Sequence, residues 1–545
     1  MGRLAGARTR MRGPFAHGIG GAWDYAAERY PDQATAGDRP PDIDPGRTIA
    51  TFTDQARFVA EVAGWLREGG VEPGDRVAII KANHSDIVAL SCATARIGAV
   101  PAQIASTHSP EVARELLARL DRPVLVTDRA RIESCGLDSD EVAGLVKRII
   151  VVDGEPGAGG ATTALADLRG APVPPFTPRP DDQPMVITHT SGTTGTPKLV
   201  AHSAATLRAL SAVETRRWPV IGLRPDDSVL FCDPFAHARV FTGLAAVTKN
   251  GPRLTMLSDP LGPNVRDLFA EHRPTVIETM PNAFLLWESI AHDPVEPFRD
   301  VRLFINTFDA VNIRSVRTLL GASRRRLPLW VQGWGQSEAG PVTLAIYSRR
   351  TVRDRGGRMP ATRSVGRPVP LITKVRAVDP ETGRPLGRGR AGLIEVRKRG
   401  CALDYVGESD RFDAKRNDGW WNMGDLGVVS RTNDVRLLDR EVDRIEEGSC
   451  LELEDVLLDR IPTLAEAIVL AVAGGPPLPV VCVADGKPFD QAEWEHAVAD
   501  LPELAEPVVL AWPEMPRTAT WKVQRQKLRE MVAPDTEPVG SGRWT

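Results

Sequence analysis

Residues 188–198 read THTSGTTGTPK and follow directly on an apolar strand candidate over 184–187. Gly192 and Gly195 let the chain turn so that successive backbone N–H groups can face an anion. Thr190, Ser191, Thr193, Thr194 and Thr196 surround that turn with hydroxyl donors, and Lys198 adds a positive charge. A polyphosphate needs this combination of many donors, a cation and little bulk at the turn. The spacing is not GxxxxGK[ST], so the loop is not a Walker loop, and a conventional kinase built on one is set aside.

Upstream, short β-type runs alternate with helical patterns. RVAII (76–80) precedes a helix-like stretch near 87–97, and PVLVT (123–127) and RIIVV (148–152) read as further buried strands. A Gly/Pro/Ala-rich stretch over 153–184 reads as a surface connection. A second series follows the loop: SVLFCDPF from 228, RLTML from 253, TVIETMP from 275, VRLFINTF from 301 and PLWVQGWG from 328. Strands alternating with helices imply α/β layers and mainly parallel sheets. Beyond Val365 the pattern turns to hairpins, GLIEVRKRG from 392 and VVSRTNDVRLL from 428 among them, the latter turning at Asn433-Asp434. From about Arg440 a compact α+β tail begins, with a helix over 453–460 and strands over 467–472 and 479–484. The expected organisation is a large multilayer α/β domain with a β-rich subdomain over 1–439 and a small mobile α+β domain over 440–545.

The loop resembles the signature loop of the adenylate-forming superfamily: acyl-CoA synthetases, aryl-CoA ligases, luciferases and peptide-synthetase adenylation domains. In look the chain is closest to acyl- or aryl-CoA ligases. The resemblance runs from about residue 23 to about residue 528, with separate motifs in the family's order. It implies that the loop holds the β- and γ-phosphates of ATP. QGWGQSE (332–338) resembles the family's aromatic-Gly-x-Thr-Glu segment. The likeness puts Trp334 and Gly335 against the adenine, Ser337 on the α-phosphate and Glu338 on Mg²⁺. An aromatic face suits a base, a hydroxyl suits a phosphate, and a hard carboxylate suits a hard cation. GWWNMGDLG (419–427) is similar to the TGD segment, with Met423 for the usual Thr, and gives Asp425 to the ribose hydroxyls. Arg440 matches the arginine of the hinge segment, a ribose or phosphate contact. MPRTATWKVQRQKLR from 515 resembles P-x-T-x-x-G-K, so Lys522 matches the catalytic lysine that bridges the attacking acid and the α-phosphate.

On the acid side, PFAH places His237 where the family often has an aromatic or histidine residue; it is either a pocket group or a core histidine. NTFDAV (306–311) occupies the adenine and pocket strand with Phe308 and Asp309 in place of glycines, and the Phe should shorten or reshape the pocket. Three departures bear on acceptor chemistry. Val442 replaces the polar hinge residue, Glu446 and Glu447 bring acid where CoA phosphates would pass, and Trp521 replaces the glycine before the lysine.

The resemblance therefore implies adenylation of a small acid (acid + ATP → acyl-AMP + PPi), then transfer to an acceptor. CoA is the family default; an amine is the alternative, including nitrite activation for diazotisation of an aryl amine. Composition sets other classes aside. The 68 basic and 71 acidic side chains nearly cancel, so no electrostatic footprint for nucleic acid is expected. Six dispersed cysteines show no zinc or disulfide spacing and read as small buried thiols. No apolar run approaches the ~20 residues of a membrane helix. A cytoplasmic monomer or homodimer using ATP and Mg²⁺ is the expectation.

Overall fold

The computed structural model describes residues 13–536 apart from 138, 155–161, 191–195, 217, 354–361, 363, 441–448, 473, 485–486, 519 and 535. Two eight-stranded sheets dominate. The first runs Asp404–Tyr405, Leu199–Ser203, Pro184–His189, Val100–Gln103, Arg76–Ile80, Val124–Thr127, Arg148–Val151 and Thr162–Ala164. Its strands are parallel except where Leu199–Ser203 turns back on Pro184–His189 and pairs with Asp404–Tyr405. The second runs Thr35–Gly37, Arg253–Met256, Ser228–Cys232, Val276–Thr279, Leu303–Asn306, Leu329–Gln336, Gly340–Ser348 and Arg367–Pro368; its last two pairings are antiparallel.

Alternation of side chains explains why the central strands are apolar throughout. In Arg76–Ile80, Val77 and Ile79 enter one core, while Ala78 and Ile80 enter another with Leu116, Leu117 and Leu125. In Ser228–Cys232, Val229 and Phe231 share the first of these cores, and Leu230 and Cys232 face a third with Phe269, Phe284 and Trp330. Successive side chains point to opposite faces, so a strand covered on both sides reads as a continuous apolar run. The shared core also takes Val59, Val62 and Trp65 of the helix Phe52–Glu68 and Leu90 and Ala93 of the helix Asp86–Arg96. Helices thus lie between the sheets as well as outside them, which is the multilayer α/β arrangement expected.

Two details depart from the sequence reading. The stretch 153–184 is not all connection: Thr162–Ala164 adds an edge strand in parallel to Arg148–Val151, and a 3₁₀ turn follows at Leu165–Leu168. Cys401 is only half-buried, whereas the other five cysteines are buried.

A third, antiparallel sheet joins Thr373–Val378, Ala391–Lys398, Trp420–Val429, Arg416–Asn417 and Val435–Arg440. The hairpin between Trp420–Val429 and Val435–Arg440 turns as expected, with Asn433 in the left-handed conformation at φ 67°. The tail forms a small sheet of Leu464–Leu470, Leu478–Val483 and Val508–Val509, packed on the helix Cys450–Arg460. Among the described residues no helix is long and apolar enough to cross a membrane.

Candidate active site

The ends of Pro184–His189 and Leu199–Ser203 close the glycine-rich loop. The Thr190 N–H donates to Lys198 O, and the Lys198 N–H donates to Thr190 Oγ1, both at 3.0 Å. His189 braces this closure. Its Nδ1–H donates to Thr190 O at 2.7 Å, so its Nε2 accepts from the Ala105 N–H at 3.1 Å. Both ring nitrogens are used by one neutral tautomer, and burial pushes this imidazole below its ordinary value. Ser191, Gly192, Thr193, Thr194 and Gly195 lie outside the described residues.

Lys198 is buried, with Nζ 5.6 Å above the Tyr405 ring. The Tyr405 hydroxyl donates to Glu338 Oε1, and the Ala402 N–H donates to Glu338 O at 2.7 Å. Loop cation and acid thus share one aromatic neighbour. His202 anchors the preceding residue: a carbonyl can only accept, so Nε2–H donates to Ser337 O at 3.0 Å. Burial pushes His202 down to about 4, which keeps it neutral.

Leu329–Gln336 carries Trp334 and Gly335 into the cavity, and its register slips between those two residues. A Cβ at Gly335 would lie 2.1 Å from Gly340 O, so only glycine permits this turn. Gln336 ties the turn to the neighbouring sheet. Its Nε2 donates to Met423 O, and its Oε1 accepts from Trp421 Nε1 at 3.2 Å. Met423 and Asp425 on Trp420–Val429 line the same cavity. Asp425 stands opposite Arg440 in the strand register; the Arg440 side chain is outside the description.

The acid side is built by the start of the helix Arg239–Asn250. His237 Nδ1 accepts from the Arg239 N–H at 3.1 Å, and the ring meets Phe308 edge-on at 4.6 Å. Burial, with His189, Lys522 and Arg239 around it, pushes His237 down to about 3, so it is uncharged at neutral pH. Behind it Arg239 binds Glu278 Oε2 at 2.8 Å and also pairs with Glu214. Asp309, at the end of Leu303–Asn306, is held through its carbonyl by Asn306 Nδ2 at 3.0 Å.

Lys522 arrives from the tail on a tight turn. The Thr518 N–H donates to Lys522 O at 2.8 Å, and the Trp521 N–H donates to Thr518 O at 2.9 Å. Asn282 Nδ2 bonds Trp521 O at 2.9 Å, joining the tail to the large layers.

A single cavity of about 890 Å³ is lined by Thr190, Lys198, His237, Asp309, Trp334, Gly335, Ser337, Glu338, Asp425 and Lys522. Its size is at the upper end for small-molecule sites. The structure therefore brings together every proposed site residue whose side chain is described. Sequence reasoning did not single out His189, His202, Gln336, Arg239 or Tyr405. Gln336 lies inside a quoted motif and could have been found there. Tyr405 is 67 residues from Glu338 with no local signal joining the two.

Glu446 and Glu447 lie outside the described residues, as does Val442. Lys81 Nζ bonds Asp42 and Asp86 at 2.6 and 2.8 Å, and His84 completes that cluster away from the cavity.

Residues 23–406 match the family model of the AMP-binding enzymes. The chain is 38% identical over 506 residues to a 3-amino-2-hydroxy-4-methoxybenzoate diazotase of Streptomyces cremeus, covering 89% of this chain and 90% of the relative. It is 26% identical to a 3-aminoavenalumate diazotase of a Streptomyces species, covering 78% of this chain and 74% of that one. Among solved structures it is similar in fold to a benzoate CoA ligase from Burkholderia xenovorans LB400, with TM-score 0.76 and 18% identity over 94% of this chain and 99% of that one.

Proposed function

The chain belongs to the AMP-binding enzyme family and is an adenylate-forming enzyme, and from that premise we propose that it activates nitrite with ATP and hands the activated nitrogen to an aryl amine. The observation that carries this reading is the likeness to a diazotase along nearly the whole of both chains. The cavity supports it: the Phe308 ring against His237 takes up space beside the reacting end, which suits a three-atom anion there.

In the first step a nitrite oxygen attacks the α-phosphate, giving a nitrosyl adenylate and pyrophosphate. In the second the amine nitrogen takes the nitrosyl group, AMP leaves with its bridging oxygen, and loss of water gives the diazonium. Lys522 Nζ stabilises charge on the attacking oxygen and the α-phosphate. Thr190 and Lys198 hold the outer phosphates, and Trp334 and Gly335 form the adenine wall. Ser337 bonds the α-phosphate and Asp425 the ribose, while Asp309 borders the nucleoside and Arg440 contacts ribose or phosphate. His237, being neutral, offers a hydrogen bond without repelling a cation or trapping an anion. The tail that carries Lys522 brings the lysine in and withdraws it.

Magnesium fits the donors present. Glu338 is a buried carboxylate whose Oε1 already accepts from Tyr405, and Ser337, next to it in sequence, adds a hydroxyl to the cavity lining, a hard oxygen set. Bound there, Mg²⁺ would neutralise phosphate charge.

Pyrophosphate release tests the proposal, measured with ATP and Mg²⁺ over nitrite, aryl acids, fatty acids and amino acids. Each is tried with and without an aryl amine, and with and without CoA. Nitrite-dependent release and an amine-dependent diazonium, trapped by azo coupling, are expected. Release with a carboxylic acid but none with nitrite, followed by thioester with CoA, overturns it in favour of a CoA ligase.

A further inference from the structure

Two aromatic residues that line the cavity have left-handed backbones: Phe308 at φ 75° and Trp521 at φ 61°. No other non-glycine residue with positive φ among the described residues is aromatic or lines the cavity. A side chain in this region crowds its Cβ against the backbone, and glycine is the residue that escapes. Such a conformation persists only where the surroundings over-determine it.

At Trp521 they do. Its carbonyl accepts from Asn282 Nδ2 at 2.9 Å and from Arg517 Nη1 at 3.0 Å, and its N–H donates to Thr518 O at 2.9 Å. Arg517 in turn bonds Glu466 at 2.8 Å and lies 3.8 Å over the Trp512 ring. The three bonds made by Trp521 itself all use its backbone, and glycine would keep every one of them with less crowding. They fix the turn and Lys522; they do not account for an indole. Trp521 lines the cavity beside the residue that carries the ammonium. Phe308 has the same conformation at the other position where bulk enters the cavity, with its ring edge-on to His237.

We propose that Trp521 is a specificity-determining residue, whose indole forms one aromatic wall of the cavity, with Phe308 another, and selects a flat aromatic ring in the substrate that meets the adenylate. Aromatic faces and edges favour a flat ring by offset and edge-on contacts as well as by apolar burial. The proposal rests on the adenylating reading of the site. The ring could belong to an aryl amine attacking a nitrosyl adenylate or to an aryl carboxylate being adenylated. The shared chemistry is the flat ring, and the two arms of the test separate the sources.

The variants are Trp521→Gly, Trp521→Phe and Phe308→Gly in the full chain. In the amine arm, aniline and cyclohexylamine are compared with ATP and nitrite; in the acid arm, benzoate and cyclohexanecarboxylate are compared with ATP. Each pair differs in a flat against a puckered ring of the same carbon count. The readout is the ratio of kcat/KM, flat over puckered, relative to wild type. Trp521→Gly should lower this ratio at least tenfold without lowering Tm, Phe308→Gly should lower it in the same direction, and Trp521→Phe should restore it to within threefold. If only the acid arm turns over, the nitrite reading fails while the ratio still judges Trp521. If neither does, calorimetric binding of the same ring pairs to the ATP-loaded protein supplies the ratio. A ratio within twofold of wild type in Trp521→Gly, whatever the absolute rates, overturns the proposal.

Discussion

Lys522 stands in the cavity because its backbone and that of the residue before it are held: Thr518 bonds the Lys522 carbonyl, and Asn282 and Arg517 bond that of Trp521. Removing the side chain therefore leaves the turn in place and takes away the charge proposed to act on the reacting atoms. Lys522→Ala should lower kcat for adenylate formation by roughly 10²–10³-fold, about 3–4 kcal/mol, while ATP affinity changes little. Isotope exchange between pyrophosphate and ATP measures this, and a variant within threefold of wild type removes Lys522 from the mechanism. The role proposed for Asp425 differs, since a ribose contact is the same in ground and transition states. Asp425→Ala should raise KM for ATP by roughly 10–100-fold with a smaller effect on kcat, as expected for loss of charge-assisted bonds of about 1.5–3 kcal/mol. An unchanged KM for ATP withdraws the ribose assignment.

At the scale of elements, the cavity depends on how strands and helices end. The helix Asp86–Arg96 begins on a fully buried ion pair of Asp86 with Lys81 Nζ at 2.8 Å, and Lys81 also bonds the partly exposed Asp42 at 2.6 Å. Asn83, two residues on, donates to Ser258 O at 2.9 Å and accepts from the Phe235 N–H at 2.8 Å, so this corner also fixes the loop leading to His237. Burial by itself would raise the Asp86 carboxyl, but the Lys81 ammonium and His84 hold it well below the usual carboxylate range. A carboxylate lowered in the fold contributes stability above its unfolded value and loses it as pH falls. Lys81→Met should therefore cost about 3–5 kcal/mol near neutral pH, because a buried carboxylate is left uncompensated. The deficit against wild type should shrink on acidification, first as the uncompensated Asp86 carboxyl of the variant, raised by burial, takes up its proton within the fold. It should shrink further below about pH 4, where wild type loses the stability of its lowered carboxyl. Urea unfolding at several pH values checks both, and a deficit independent of pH means the charge of Lys81 is not what matters.

For the molecule as a whole, one cavity draws on both large sheets, the antiparallel sheet and the tail. A nucleotide that bonds groups from all of them should stabilise them together. A non-hydrolysable ATP analogue with Mg²⁺ at a hundred times its Kd should add about 2.7 kcal/mol of stability, and Asp425→Ala should need proportionally more ligand for the same effect. Calorimetry with and without analogue measures it; a shift confined to one of several unfolding transitions would mean the nucleotide does not bridge these parts. The sequence by itself determined the alternation of buried strands and helices and the order of the phosphate, adenine, ribose and lysine motifs. It did so because each is written in neighbouring residues: side chains alternate along a strand, and a loop's donors lie within a few positions of its glycines. Tertiary structure alone decided which distant groups meet. Tyr405 on Glu338, His202 under Ser337, Gln336 on Met423 and Asn282 on Trp521 are contacts between segments far apart in the chain. It also decided that Phe308 and Trp521 keep left-handed backbones despite their bulk. Such features come from packing that over-determines a position, and no local pattern of residues encodes them.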